Sequence, residues 1–293
     1  MIPEHVMHEL RYIEVYTAKK IRNQRVGAYQ SPLRGPGFDF DQHQLYRPGD
    51  DVRRIDWNVT ARMGAPYVRL THAEREMNVM IVMDVSRSMD LGSTSYSKKD
   101  VMTFITGSLV FSALADQINT GFLAFADRVL TYSPPRRTRA AAWSVVQQCW
   151  STTSSSRRTM MRPAIELLIK MLKRMNVVVI VSDFMTDDDV LDSQELSVLA
   201  AKHDVIAVVP EDPAELGMPG GHGYLRLRDL ESGRSVSVAL SERSRRRYAG
   251  EVQQRHDALA RAFYRVPMDH VFVPTDRTPV EPLLSLFTRR MKA

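Results

Sequence analysis

Met77-Asn-Val-Met-Ile-Val-Met-Asp84-Val-Ser86-Arg-Ser88 reads as a strand running into a polar loop. A half-exposed strand would alternate apolar with polar residues. This run does not, and so suits a parallel strand covered on both faces. The same texture recurs outward from it. Lys99–Gln117 is predicted as a helix, Thr120–Ala126 as a strand, Val129–Tyr132 as a short edge strand and Thr138–Trp150 as a helix. Arg162–Met175 is the clearest amphipathic helix. Ile165, Leu168, Ile169, Leu172 and Met175 mark its apolar face, and Pro163 suits its first turn. Asn176–Val181 is a strand ending in Ser182-Asp183, Asp187–Lys202 a helix and Asp204–Val209 a strand. A Gly/Pro loop precedes a hairpin over Tyr224–Leu240, turning at Glu231-Ser232-Gly233. Ser241–Arg265 is a basic helix, His270–Val273 the last strand and Val280–Met291 a closing helix. Strands alternating with helices imply an α/β fold, a doubly wound and mostly parallel sheet with helices on both faces.

Upstream the texture changes. Pro3–Lys20 is predicted as a helix from the spacing of Val6, Leu10, Ile13 and Tyr16/Thr17. A Gly/Pro-punctuated stretch and short strand-like pieces follow. The reading is therefore a small α+β extension over residues 1–75 and an α/β domain over 76–293, which the length of 293 residues accommodates.

The single cysteine, Cys149, excludes an internal disulfide, and there is no cysteine cluster for zinc. No apolar run approaches the ~20 residues that span a bilayer. The most apolar helical stretch, Phe104–Ala115, is too short and is interrupted by Thr106, Gly107, Ser108 and Ser112. With no signal-peptide pattern, the expectation is a soluble cytoplasmic protein without a membrane span. The net charge of +6 comes with arginine clusters at Arg136–Arg137, Arg157–Arg158, Arg243–Arg247 and Arg289–Arg290. These permit an acidic partner. No aromatic stacking motif or zinc-finger spacing accompanies them, so a solvated basic surface is expected and nucleic acid is not.

In parallel sheets the ligand site lies at the carboxyl ends of the strands. There the sequence sets Asp84, Ser86 and Ser88 on one short loop, and Ser182-Asp183 at the end of a later strand. Thr159 stands just before the amphipathic helix. Carboxylates and hydroxyls are hard oxygen donors, suited to Mg²⁺ or Mn²⁺ and not to zinc. The alternative is that Ser86 and Ser88 cap a helix and Asp183 is a turn residue.

The pattern Asp-x-Ser-x-Ser, a distant Thr and a strand-end Asp resembles the metal-ion-dependent adhesion site of von Willebrand factor A domains. The resemblance implies that Asp84, Ser86, Ser88, Thr159 and Asp183 are the metal-site residues. Met160 follows the Thr where many relatives carry Asp or Asn, and Ser156 is the rival hydroxyl. A second resemblance lies upstream. Tyr46-Arg-Pro-Gly-Asp-Asp-Val-Arg-Arg-Ile-Asp-Trp57, with Thr60-Ala-Arg62, Arg34-Gly-Pro-Gly-Phe-Asp-Phe40 and Glu76, is similar to the signature of the bacterial "domain of unknown function 58" family. Members of that family resemble von Willebrand factor A proteins and are commonly encoded beside MoxR-type AAA+ ATPases. Within the signature, Pro48-Gly49-Asp50 reads as a turn. Arg47, Asp50, Asp51, Arg53, Asp56 and Arg62 offer matched charges, with Trp57 as an apolar anchor. They are expected to dock this segment on the α/β domain; a partner-contact surface is the alternative.

The scattered histidines show no metal-ligand spacing, and the phosphate-binding glycine loops and Gly-x-Ser-x-Gly are absent. The expected function is thus non-enzymatic: a divalent-metal-dependent protein-binding module. The resemblance implies a MoxR-type AAA+ ATPase, or a client met through an acidic residue, as its partner in chaperone-like maturation. A metal-dependent hydrolase or phosphatase, or a basic nucleic-acid-binding protein, are the alternatives.

Overall fold

A computed structural model of the chain describes residues 2, 6–7, 10–11, 40–48, 50, 52–71, 78–228, 234–277, 279, 282, 285–286 and 289–290. These pack as two units, one of residues 1–29 with 77–293 and one of residues 30–76.

In the smaller unit, β1 (Phe40–Leu45) pairs antiparallel with β2 (Tyr67–Thr71). Between them lies α1 (Trp57–Met63). The Asp56 carboxylate accepts the Asn58 and Val59 N–H groups at 3.1 and 3.2 Å, and the His43 imidazole lies 3.0 Å from it. Gly64 ends the helix at φ 71°, a left-handed position that glycine adopts freely. The predicted turn is present, with Asp50 N–H donating to the Arg47 carbonyl at 3.0 Å. Trp57 is 67% exposed, so it does not pack into the core of its own unit. Arg34–Asp39, Gly49, Asp51 and Glu76 lie outside the described residues.

In the larger unit, β3 (Asn78–Asp84), β4 (Asn119–Phe125), β5 (Val129–Arg136), β6 (Val177–Val181), β7 (Asp204–Glu211) and β10 (Asp269–Pro274) form one sheet, ordered β10-β7-β6-β3-β4-β5. Every pairing is parallel except β5 on β4. Gly121 on β4 faces that antiparallel edge. A Cβ there would sit 2.9 Å from the Ser133 carbonyl and 2.8 Å from the Met80 terminal methyl. The predicted hairpin is present as β8 (Tyr224–Arg228) on β9 (Ser235–Ala239). Its expected turn residues, 231–233, lie outside the described residues.

Strand alternation sends neighbouring residues of β3 to opposite cores. Ile81 and Met83 enter one, with α2 (Lys98–Ala115) and α3 (Arg139–Ser151). Met80 and Val82 enter the other, with α4 (Arg162–Met171), α5 (Gln194–Lys202) and α7 (Glu242–Arg265). Each fully buried aliphatic or aromatic side chain is worth about 1.5–3 kcal/mol. The fold is thus the doubly wound α/β class that the sequence implies. Among the described residues, no helix is long and apolar enough to cross a membrane.

Three details differ from the sequence reading. Val6 and Leu10 are fully buried in the first core, so the start of the chain belongs with the α/β unit and not with the extension. Gly107 records this packing, because a methyl group there would overlap Leu10 Cδ2. Next, α4 stops at Met171 and Met175 is exposed, outside the apolar face assigned to it. Finally, α5 begins at Gln194 under a Ser193 cap, because Asp189 takes a left-handed φ of 44° and breaks the helix predicted from Asp187.

Candidate metal centre

Numbered within the sheet, the six strands run 3-2-1-4-5-6. The winding reverses between the first and the fourth, which are β3 and β6. Connections leave that point in opposite directions and open a crevice at the carboxyl ends of the two strands. β3 ends there with Asp84, and β6 is followed there by Ser182 and Asp183.

Asp84 is fully buried. Its Oδ1 accepts the Ser86 N–H at 2.8 Å, and its Oδ2 accepts the Ser182 hydroxyl at 2.7 Å. One carboxylate therefore binds the loops of both strands. Burial pushes the Asp84 carboxyl up to about 7; the Asp183 charge adds to this, while the Ser86 and Ser182 hydrogen bonds oppose it. The repulsion between two such acids is relieved by a proton or by a cation.

Ser86 precedes a short 3-10 helix, Arg87–Asp90, but its side chain makes no cap bond. Its hydroxyl lies 3.1 Å from that of Ser88 instead. Asp183 does act in a turn, since its Oδ1 accepts the Met185 N–H at 3.1 Å. Phe184 between them sits at φ 56°, unusual for a bulky side chain. Its ring, edge-on to Phe263 at 5.0 Å, helps to hold that conformation.

Thr159 is buried at the same edge, one strand along. Met160 N–H donates to the Ala126 carbonyl just past β4, at 2.7 Å. Thr159 N–H donates to Asp187 Oδ2 at 3.0 Å, and Asp187 N–H returns to the Thr159 carbonyl at 2.7 Å. The rival Ser156 hydroxyl closes a local turn with Arg158. Asp84, Ser86, Ser88 and Asp183 thus meet at the β3/β6 crevice, with Thr159 beside it.

Two residues were missed by the sequence reading. Lys98, the first residue of α2, is fully buried. Its Nζ lies 2.7 Å from Glu215 Oε1 and 3.5 Å from Asp183 Oδ2. Glu215 belongs to the short helix α6 (Pro213–Leu216) that follows β7. A lysine in the first turn of a helix, against the dipole, was the available signal.

Among the described residues, no group of three or more His, Cys, Asp or Glu side chains is placed to hold an ion. A cation at this crevice would therefore rely on hydroxyls beside the two carboxylates. Such oxygens are the ligands Mg²⁺ and Mn²⁺ accept, so the residues present fit.

The family model "Protein of unknown function DUF58" matches residues 42–258. Uncharacterized proteins of Mycobacterium tuberculosis and Mycobacterium bovis are each 30% identical over 226 residues, covering 76% of this chain and 70% of theirs. Among solved structures, the conserved hypothetical protein BatB from Bacteroides thetaiotaomicron aligns at 16% identity and a TM-score of 0.48, over 74% of this chain and all of that one. A von Willebrand factor type A structure from Catenulispora acidiphila aligns at 12% identity and a TM-score of 0.34, over 49% and 35%. On the family match and the mycobacterial relatives, the chain belongs to the DUF58 family.

Proposed function

We propose that this protein is a binding module for other proteins, not an enzyme, and that Mg²⁺ or Mn²⁺ completes its binding surface. The ion would be held by Asp84, Ser86, Ser88, Thr159 and Asp183. The observation that carries this reading is the meeting of Asp84 and Asp183 at the point where the sheet reverses, with Asp84 raised by its burial and by the other acid. Ser86 and Ser182 orient both oxygens of Asp84, and Met185 orients Asp183.

When bound, a hard divalent cation supplies a coordination position that favours an anionic oxygen from a partner. Arg157 and Arg158 are exposed beside Thr159, and Arg87 is partly exposed beside Ser86. Their charge would speed the approach of an acidic surface. The partner we propose, from the family resemblance, is a MoxR-type AAA+ ATPase or its client, in chaperone-like maturation.

The test is affinity capture with the native chain in Mg²⁺ or in EDTA, beside the Asp84→Ala and Ser86→Ala variants. Capture of such an ATPase or client should be lost in EDTA and with Asp84→Ala. Circular dichroism should show both variants folded. Equal capture by wild type in EDTA and Mg²⁺ would falsify the metal dependence.

A further inference from the structure

Lys98 stands in an unusual place for a lysine. Lysine is almost never fully buried unless paired, and a cation in the first turn of a helix opposes the helix dipole. Yet Lys98 opens α2 within the Ser97–Asp100 capping box, with none of its surface exposed. Glu215 at 2.7 Å is partner enough for a structural ion pair. The second contact points elsewhere, toward Asp183 at 3.5 Å. Asp183 and Glu215 thus share one buried ammonium.

We infer that Lys98 is the built-in cation of the crevice, partly neutralising Asp183 so that the site takes a divalent ion weakly. The inference rests on the proposed metal site and concerns its tuning. The ammonium and the ion would share one carboxylate. Like charges at this range repel through a medium less polar than water, so the lysine sets the strength of metal binding. Glu215 acts on the opposite side of the balance. It draws the ammonium toward α6 and away from Asp183, and its own charge adds to the field that attracts the ion. A weak site leaves more to be gained from an anionic oxygen of a partner. Lys98 is a positioning residue here, acting through Asp183.

The experiment is Mn²⁺ binding by the full chain, read by calorimetry and by electron paramagnetic resonance. Wild type is compared with K98M, E215Q and K98M/E215Q, and circular dichroism checks folding. K98M should bind roughly tenfold or more tightly, since a repelling charge is removed. E215Q should bind several-fold more weakly, because Lys98 then settles on Asp183. The double variant loses one charge of each sign and should return to within about threefold of wild type. E215Q is nearly isosteric, so it decides the matter if K98M does not fold. Unchanged or weaker binding in K98M, or unchanged or tighter binding in E215Q, overturns the role of Lys98 while leaving the metal site standing. Binding by K98M but not by wild type supports Lys98 and removes the ion from the native protein. Absence of binding in all four overturns both.

Discussion

Asp84 ties the chemistry of the crevice to pH. Its carboxyl stands near 7 in the fold against an ordinary value of 3.8, because it is buried and faces Asp183. The folded state therefore holds a proton that the unfolded chain releases. In the absence of metal, this residue contributes stability that is present at low pH and lost as pH rises through about 7. A bound cation must displace that proton, so acid competes with metal. The rise in Tm on adding Mg²⁺ should be larger at pH 8 than at pH 6. Paired thermal melts in Mg²⁺ and EDTA at the two pH values check this, and Asp84→Asn should abolish the difference. Asp84, Ser86 and Ser88 were legible because one strand end and one loop bring them together. Asp183 needed only a second strand end. Lys98 stood out only as a lysine in a first helical turn; its partners Asp183 and Glu215 lie 85 and 117 residues away, and only the fold unites them.

Helix α1 separates two residues that adjoin in sequence. Asp56 caps it and lies beside His43, whereas Trp57 stands in solvent. Asp56→Ala should lower stability by about 1 kcal/mol from the lost cap. Trp57→Ala should leave the melting curve nearly unchanged. Denaturant titration of the two variants separates them. Lost partner capture by a fully stable Trp57→Ala would make this exposed ring a contact residue. The signature around these positions looked like a set of charges with an aromatic anchor, because composition cannot say which way a side chain faces. The strands were legible for the opposite reason. A run such as Met80–Met83 is apolar on both faces, and only a doubly covered strand accommodates that. Helix limits were less so. Asp189 breaks the predicted helix through its backbone angle, which no apolar spacing reveals.

Across the molecule, several of the clustered arginines meet carboxylates, as a solvated basic surface allows. Arg247 pairs with Glu251 at 2.9 Å one turn along α7, Arg246 pairs with Glu242, and Arg290 reaches both Asp204 and Asp269. Arg158 lies 3.8 Å from Asp187 at the edge of the crevice. Exposed pairs of this kind are screened by salt. Partner capture should therefore decline gradually between low and moderate salt in the presence of Mg²⁺, and drop sharply on adding EDTA at either. Loss to salt alone, with no response to EDTA, would assign the interface to the arginines. The burial of Leu10 against Gly107 has a consequence for biosynthesis. Val6 and Leu10 pack in a core with a helix made almost a hundred residues later, so their apolar side chains must wait uncovered while that helix is translated. A chain lacking Val6 and Leu10 would leave α2 with a bare apolar groove in its core, and aggregation during expression is the expected result.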